Sequence, residues 1–174
     1  MNDIWVRSEL KGTILDIGGG GEGIIGRVYG QQVTAIDNRQ EELDEAPDNG
    51  HKLLMDASAL AFQDGFFDNV TFFYSLMYMS KETKKNAIKE AFRVLKHNGT
   101  LAIWDAVIEN AAPDPFLIDL RIHINDLIVA TTYGVGKEDA FQNSSTIIDL
   151  CENAGFKLKN ALKDGASFNL IFIK

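Results

Sequence analysis

The stretch from Thr13 to Gly26, Thr-Ile-Leu-Asp-Ile-Gly-Gly-Gly-Gly-Glu-Gly-Ile-Ile-Gly, constrains this chain more than any other. Ile14, Leu15 and Ile17 form an apolar run of the length of a buried parallel strand, and it leads into six glycines within nine residues. Glycine lacks a Cβ, so it reaches positive φ at little cost and lets a ligand approach the backbone. If residues 23–29 begin a helix, its free N–H groups and positive dipole end face whatever fills the loop. A tight turn that binds nothing is the alternative, but such a turn needs one or two glycines. The strand, glycine loop and helix together therefore favour a nucleotide-type ligand.

The 174 residues are expected to form a single domain, 1–174, that buries roughly 70% of the surface its unfolded chain exposes. A net charge of -8 argues against nucleic acid or an anionic membrane as partner, since both demand a basic surface. A small-molecule substrate is the expected partner, with a homodimer left open. The N-terminus lacks an apolar core of leader length, and no run of about 18 apolar residues occurs, so a cytoplasmic location is expected. Cys151, the single cysteine, lies on the apolar side of a helical pattern and reads as a small core residue. No metal site is expected.

Strands and helices alternate after the loop. Residues 32–36 form a second strand ending in Asp37, 21 residues beyond Asp16. In a strand-helix-strand unit its end opens at the same edge as the glycine loop, where a carboxylate accepts hydrogen bonds from ribose hydroxyls. A helix N-cap is the competing role for Asp37. Residues 41–50 give a short helix and a solvated loop. Residues 51–55 form a third strand that ends in Asp56-Ala57, and 68–73 a fourth. Ser80 caps a helix to about Lys96, buried through Ala87, Ile88, Ala91, Phe92 and Leu95, with Lys84 and Glu90 on its solvated face. His97-Asn98-Gly99 ends that helix, and 100–105 is the fifth strand. Ser144 or Ser145 caps a last helix ending at Gly155. Two strands, 156–163 and 167–173, then flank an Asp164-Gly165 hairpin turn.

Residues 107–143 break the alternation. Asp114 and Pro115 are expected to open a helix through Phe116, Leu117, Leu120, Ile124, Leu127 and Ile128, reaching about Thr131. The segment 133–136 then acts as a flexible connection. An excursion of this length is expected to cover the crevice, with Asp119, His123 and Tyr133 as polar candidates, or to form a dimerisation helix.

Two enzyme classes place a glycine loop after the first strand and an acid after the second. Gly21-x-Gly23-x-x-Gly26 fits a dinucleotide fingerprint with Asp37 on the ribose of NAD, which makes an NAD-dependent oxidoreductase one reading. Residues 13–174, however, resemble the class I S-adenosylmethionine-dependent methyltransferases. The resemblance rests on Leu15-Asp-Ile-Gly-Gly-Gly20, Ile36-Asp37, Met55-Asp-Ala57, Phe67-Asp68, the Arg93–Leu101 segment and the terminal hairpin. It implies an α/β fold, a doubly wound, mostly parallel seven-stranded sheet with an antiparallel C-terminal hairpin. It also implies S-adenosylmethionine as cofactor and methyl transfer to an acceptor.

By that resemblance Asp16, Gly18 and Gly20 hold the methionine portion and Asp37 the ribose. Asp56 and Ala57 recognise the adenine, while Tyr74 and Ser75 pass under the sulfonium. The family's third glycine falls on Glu22, with Gly23 one position later. No histidine follows the fourth strand, so no general base carries over; Tyr74, Tyr78 and His123 are the remaining catalytic candidates. A non-catalytic nucleoside sensor or partner subunit is the alternative outside enzymology.

Overall fold

The computed structural model describes residues 2–7, 9–111, 113–137 and 140–174. The chain runs through β1 (Asn2–Trp5), β2 (Ile14–Ile17), α1 (Ile24–Tyr29), β3 (Val33–Asp37), α2 (Gln40–Glu45), β4 (His51–Leu54) and β5 (Phe67–Phe73). It continues through α3 (Lys81–Val94), β6 (Leu95–Ala106), β7 (Phe116–Ile124), β8 (Leu127–Val135), α4 (Ser144–Ala154), β9 (Lys157–Asp164) and β10 (Ser167–Ile173). Among the described residues no helix is long and apolar enough to cross a membrane.

Seven strands form one sheet in the order β4-β3-β2-β5-β6-β10-β9. The first five are mutually parallel, and β10 lies antiparallel between β6 and β9. This is the expected Rossmann-like methyltransferase architecture with its terminal hairpin. Chain order reverses at β2, with β3 on one side and β5 on the other, so a crevice opens at the carboxyl ends of these strands.

Alternation along the central strands divides the interior in two. Leu15, Ile17, Val70 and Phe72 face a core closed by α3 and α4, through Ala87, Ile88, Ala91, Ile147 and Cys151. Ile14, Val33, Ala35 and Phe73 face the opposite core, closed by Ile24, Ile25 and Tyr29 of α1. Cys151 is buried, and burial pushes its thiol up, in keeping with a packing role.

The second core has a cover that the expected helix does not supply. Residues 116–131 form no helix. They belong to an antiparallel hairpin of β7 and β8, joined through Asn125 at φ 50° and extended by β1 into a three-stranded sheet. Ile118, Leu120, Ile122 and Ile124 are all buried, at every second position. A helix would have brought Leu117, Leu127 and Ile128 inward, yet all three are exposed. The β-branched residues in this segment favour the pleated form, and Ile4 and Val6 complete the same face.

Three smaller expectations also change. α3 ends at Val94, and His97 lies in β6, so it is no helix-end cation. Asn98 does take a left-handed conformation, φ 61°, but where pairing between β5 and β6 slips. The cap of α4 is Asn143, not Ser144 or Ser145: its side chain accepts from Thr146 N at 3.0 Å, and the Thr146 hydroxyl closes a capping box. Lys84 and Glu90 leave the solvated face. Glu90 accepts from Leu60 N and pairs with Arg93, while Lys84 is 4% exposed with Nζ 2.8 Å from Gln142 Oε1.

Candidate functional site

The crevice at the carboxyl ends of β2, β3, β4 and β5 has a volume of about 790 Å³. Asp16, Gly18, Gly20, Gly23, Asp37, Asp56, Ala57 and Tyr74 all line it, as does Tyr78. His123 does not. Its Nε2 lies 2.6 Å from Asp3 Oδ1 and its ring stacks on Trp5 at 4.7 Å, within the smaller sheet. It joins β7 to β1, which removes it from the catalytic candidates. Asp119 is likewise engaged elsewhere, accepting from Thr132 Oγ1 at 2.7 Å.

The glycine loop is shaped by its neighbours. Gly18 has φ 76°, and a Cβ there would lie 2.4 Å from Ser75 Cβ, so only glycine lets the end of β5 pack on the loop. Ser75 fixes that contact by donating its hydroxyl to Ile17 O at 2.7 Å. At Gly20 a Cβ would meet Glu42 Cβ at 2.5 Å. These glycines keep the loop thin between β5 and α2, leaving backbone as the crevice floor.

The loop does not present a row of free N–H groups. Gly18 and Gly19 donate to Ile36 O at 2.8 and 3.0 Å, Gly21 donates to Glu42 O at 2.8 Å, and Gly23 to Gly20 O at 3.2 Å. α1 spans only six residues, from a left-handed Gly23. Four loop donors are thus engaged, and the expected helix-end cradle is reduced to the first-turn N–H groups of the short α1.

Charge points the same way. Asp16, Glu22, Asp37, Glu42 and Asp56 line the crevice against Arg39 and Lys137, and Arg39 is paired with Glu42 at 3.0 Å. Asp16 is buried at 2% exposure beneath the loop and accepts from Thr71 Oγ1 at 2.7 Å. Burial pushes its carboxyl up to about 7; the Thr71 hydroxyl opposes this and the charge of Asp37 reinforces it. Asp37 accepts from Arg39 N at 3.0 Å through Oδ1, yet α2 has no side-chain cap, so the N-cap role is not realised. Asp56 accepts from Ser58 N and Oγ at 2.8 and 2.7 Å, and these bonds hold its carboxyl below the usual range.

Three tyrosines meet at the end of the crevice beyond β5. Tyr74 adopts φ 48°, donates its hydroxyl to Ser167 Oγ at 2.7 Å and stacks on Tyr133 at 5.1 Å and 7°. Tyr78 is 42% exposed, so it is no core aromatic, and its hydroxyl accepts from Gly134 N at 3.3 Å. Burial pushes all three phenols up. Glu22 joins this group by accepting hydrogen bonds from Thr131 Oγ1 and, at 3.1 Å, from the Tyr133 hydroxyl. Sequence reasoning marked Glu22 only as a departure from a glycine and did not connect it to β8. Arg39, Glu42 and Lys137 were missed as well, since nothing in their local pattern sets them apart from surface charges.

Residues 15–103 match the family model described as a methyltransferase domain. The chain belongs to that family. The match spans the first five strands of the main sheet, and family membership implies S-adenosylmethionine as cofactor. A solved protein of Pyrococcus horikoshii OT3 superposes with a TM-score of 0.71 at 18% identity, covering 95% of this chain and 84% of that one. A structure from Thermotoga maritima described as an S-adenosylmethionine-dependent methyltransferase gives 0.71 at 16% identity, covering 96% and 84%. At these identities the likeness concerns the fold. An uncharacterised protein of Haemophilus influenzae is 34% identical over 100 residues, and the chain spans 40% of its length and aligns over 55% of its own.

Proposed function

We propose that this methyltransferase-family chain binds S-adenosylmethionine and transfers its methyl group to a small-molecule acceptor. The observation that carries the reading is the acidic crevice over a glycine loop four of whose N–H donors are already engaged. A dinucleotide brings a pyrophosphate, which needs free N–H groups and no surplus of carboxylates. S-adenosylmethionine brings a sulfonium and an ammonium against one carboxylate, and five crevice acids suit such a cation.

In this reading Asp16 holds the amino group and the backbone at Gly18 and Gly20 forms the bed of the methionine portion. Gly23 closes the loop, Asp37 takes the ribose hydroxyls, and Asp56 and Ala57 face the adenine. Tyr74 lies where the sulfonium end passes, but its ring is a core aromatic, 1% exposed and stacked on Tyr133, so it shapes the wall through its backbone at the end of β5. The cofactor supplies a methyl already activated by positive sulfur, so the residues' task is alignment and exclusion of water. The β7–β8 hairpin, tied to the loop through Glu22, roofs the acceptor end.

A thermal-shift measurement discriminates the cofactors. Ligand at about 100 times its Kd stabilises by roughly 2.7 kcal/mol, which raises Tm by about 5 to 10 °C at this size. S-adenosylmethionine or S-adenosylhomocysteine is expected to give that shift and NAD none; a shift with NAD alone would reverse the assignment. Asp37→Ala should weaken cofactor affinity by about one to two powers of ten, the cost of losing hydrogen bonds to a charged group. Unchanged affinity in a calorimetric titration would restrict Asp37 to its bond with Arg39.

A further inference from the structure

We propose that the methyl acceptor is a small amine carrying an apolar or aromatic tail, seated with its nitrogen between the Glu22 carboxylate and the rings of Tyr78 and Tyr133. The inference rests on the methyl-transfer reading and names the substrate class for the same crevice.

Three observations converge on it. Glu22 is the crevice acid with no part in the cofactor assignment: Asp16, Asp37 and Asp56 lie at the strand ends, and Glu42 is paired with Arg39. Arg27 Nε donates to the Glu22 backbone carbonyl at 2.6 Å, and among the described residues the Glu22 carboxylate has no ion pair. Its two oxygens each accept one hydroxyl, from Thr131 and Tyr133, so lone pairs remain for a further donor. Around it the walls are aromatic, with Tyr74 and Tyr133 stacked and Tyr78 pinned to the hairpin through Gly134. A carboxylate beside tyrosine rings is a combination that attracts a nitrogen cation and its donors. Lys137, the base on this side, is exposed and donates to Tyr78 O at 3.0 Å, so water screens its charge.

The third observation concerns proton handling. An alcohol acceptor needs a base to take its proton, yet no histidine lines the crevice among the described residues and the tyrosine phenols are pushed up. Thiols and carboxylic acids react as anions, which Glu22 repels. An amine held as its ammonium by Glu22 first gives up one proton, to water or to that carboxylate, which an ammonium does far more readily than an alcohol and which frees its lone pair. That pair forms the N–C bond as the C–S bond breaks, and the electrons of the broken bond stay on sulfur as a neutral thioether. The positive charge passes from sulfur to nitrogen beside Glu22, and the product leaves as the methylated ammonium.

The test is calorimetric binding to the protein saturated with S-adenosylhomocysteine, with phenethylamine, phenethyl alcohol and hydrocinnamate as probes of matched shape. Phenethylamine is expected to bind, and the alcohol and the carboxylate at least tenfold more weakly. Glu22→Gln should cost about tenfold to a hundredfold in phenethylamine affinity, more than any loss in S-adenosylhomocysteine affinity. Tyr133→Phe, which keeps the carboxylate and removes one of its hydroxyl partners, should retain the preference for the amine. Equal binding of the three probes, or equal losses in both variants, would overturn the amine assignment alone. Failure of S-adenosylhomocysteine to bind would overturn the cofactor reading and this inference with it.

Discussion

Asp16→Asn is expected to stabilise the ligand-free fold above pH 7 while reducing S-adenosylmethionine affinity by about thirtyfold or more. The two effects share one cause. Burial raises the Asp16 carboxyl to about 7 from 3.8, and the Asp37 charge adds to this against the Thr71 hydroxyl. A folded-state pKa above the unfolded value means that the folded chain holds the proton more tightly. The contribution is full below the unfolded value and is lost as pH rises through the folded one. At pH 8 the wild-type protein therefore carries a buried charge that asparagine lacks. A window of about three pH units sets a ceiling near 4 kcal/mol. A gain of about 1 to 3 kcal/mol is expected, which corresponds to a Tm rise of roughly 3 to 10 °C. Removing one member of a desolvated charge pair with the cofactor's ammonium costs about 2 to 5 kcal/mol of binding.

The same linkage gives wild-type affinity a pH dependence. The ammonium favours the ionised carboxylate, so binding releases a proton below pH 7. Affinity should rise by up to about tenfold per pH unit towards 7 and then level. Asp16→Asn should show no such rise. Titrations at pH 5.5 and 8 on both proteins, with urea melts at pH 8, check both halves. A variant less stable than wild type at pH 8 would make Asp16 a structural acid.

The glycine loop and the acids after it were legible because each obeys a local rule. A short apolar strand must turn, and glycine density at the turn marks where backbone meets ligand. All seven strands of the main sheet could be placed for the same reason. The hairpin over the second core was not, because residues 116–128 satisfy two periods at once. Phe116, Leu120, Ile124 and Leu127 fit a helix, while Phe116, Ile118, Leu120, Ile122 and Ile124 alternate without a break. The alternation leading into Asn125-Asp126 is the signal that decides it, since a two-residue turn with Asn at positive φ suits a hairpin. Contacts between distant segments left no such trace. Nothing near Glu22 announces a bond to Tyr133, and nothing near His123 announces Asp3.

Lys84→Met is expected to destabilise the protein by about 3 to 5 kcal/mol at pH 8 and markedly less at pH 5, because it strands a buried carboxylate. Asp105 is fully buried, and burial pushes its carboxyl up to about 6; the Ala106 N–H, the Lys84 charge, Gln142 and the Met77 N–H oppose that rise. Gln142 links the two charges, accepting from Lys84 Nζ at 2.8 Å and donating to Asp105 Oδ1 at 2.7 Å. Without the lysine the folded-state pKa of Asp105 climbs further above its unfolded value, so the loss grows as pH rises through about 6. Asp105→Asn in the Lys84→Met background should restore much of the stability. Urea melts of the four proteins at both pH values measure the coupling; equal losses at pH 5 and 8 would show packing alone at work. The network also reaches the crevice. Asp105 Oδ2 accepts from Met77 N at 3.3 Å, in the turn that carries Tyr78 to the acceptor wall. Partial loss of this brace at pH 8 should therefore weaken phenethylamine more than S-adenosylhomocysteine, whose bed is formed by β2 and β3.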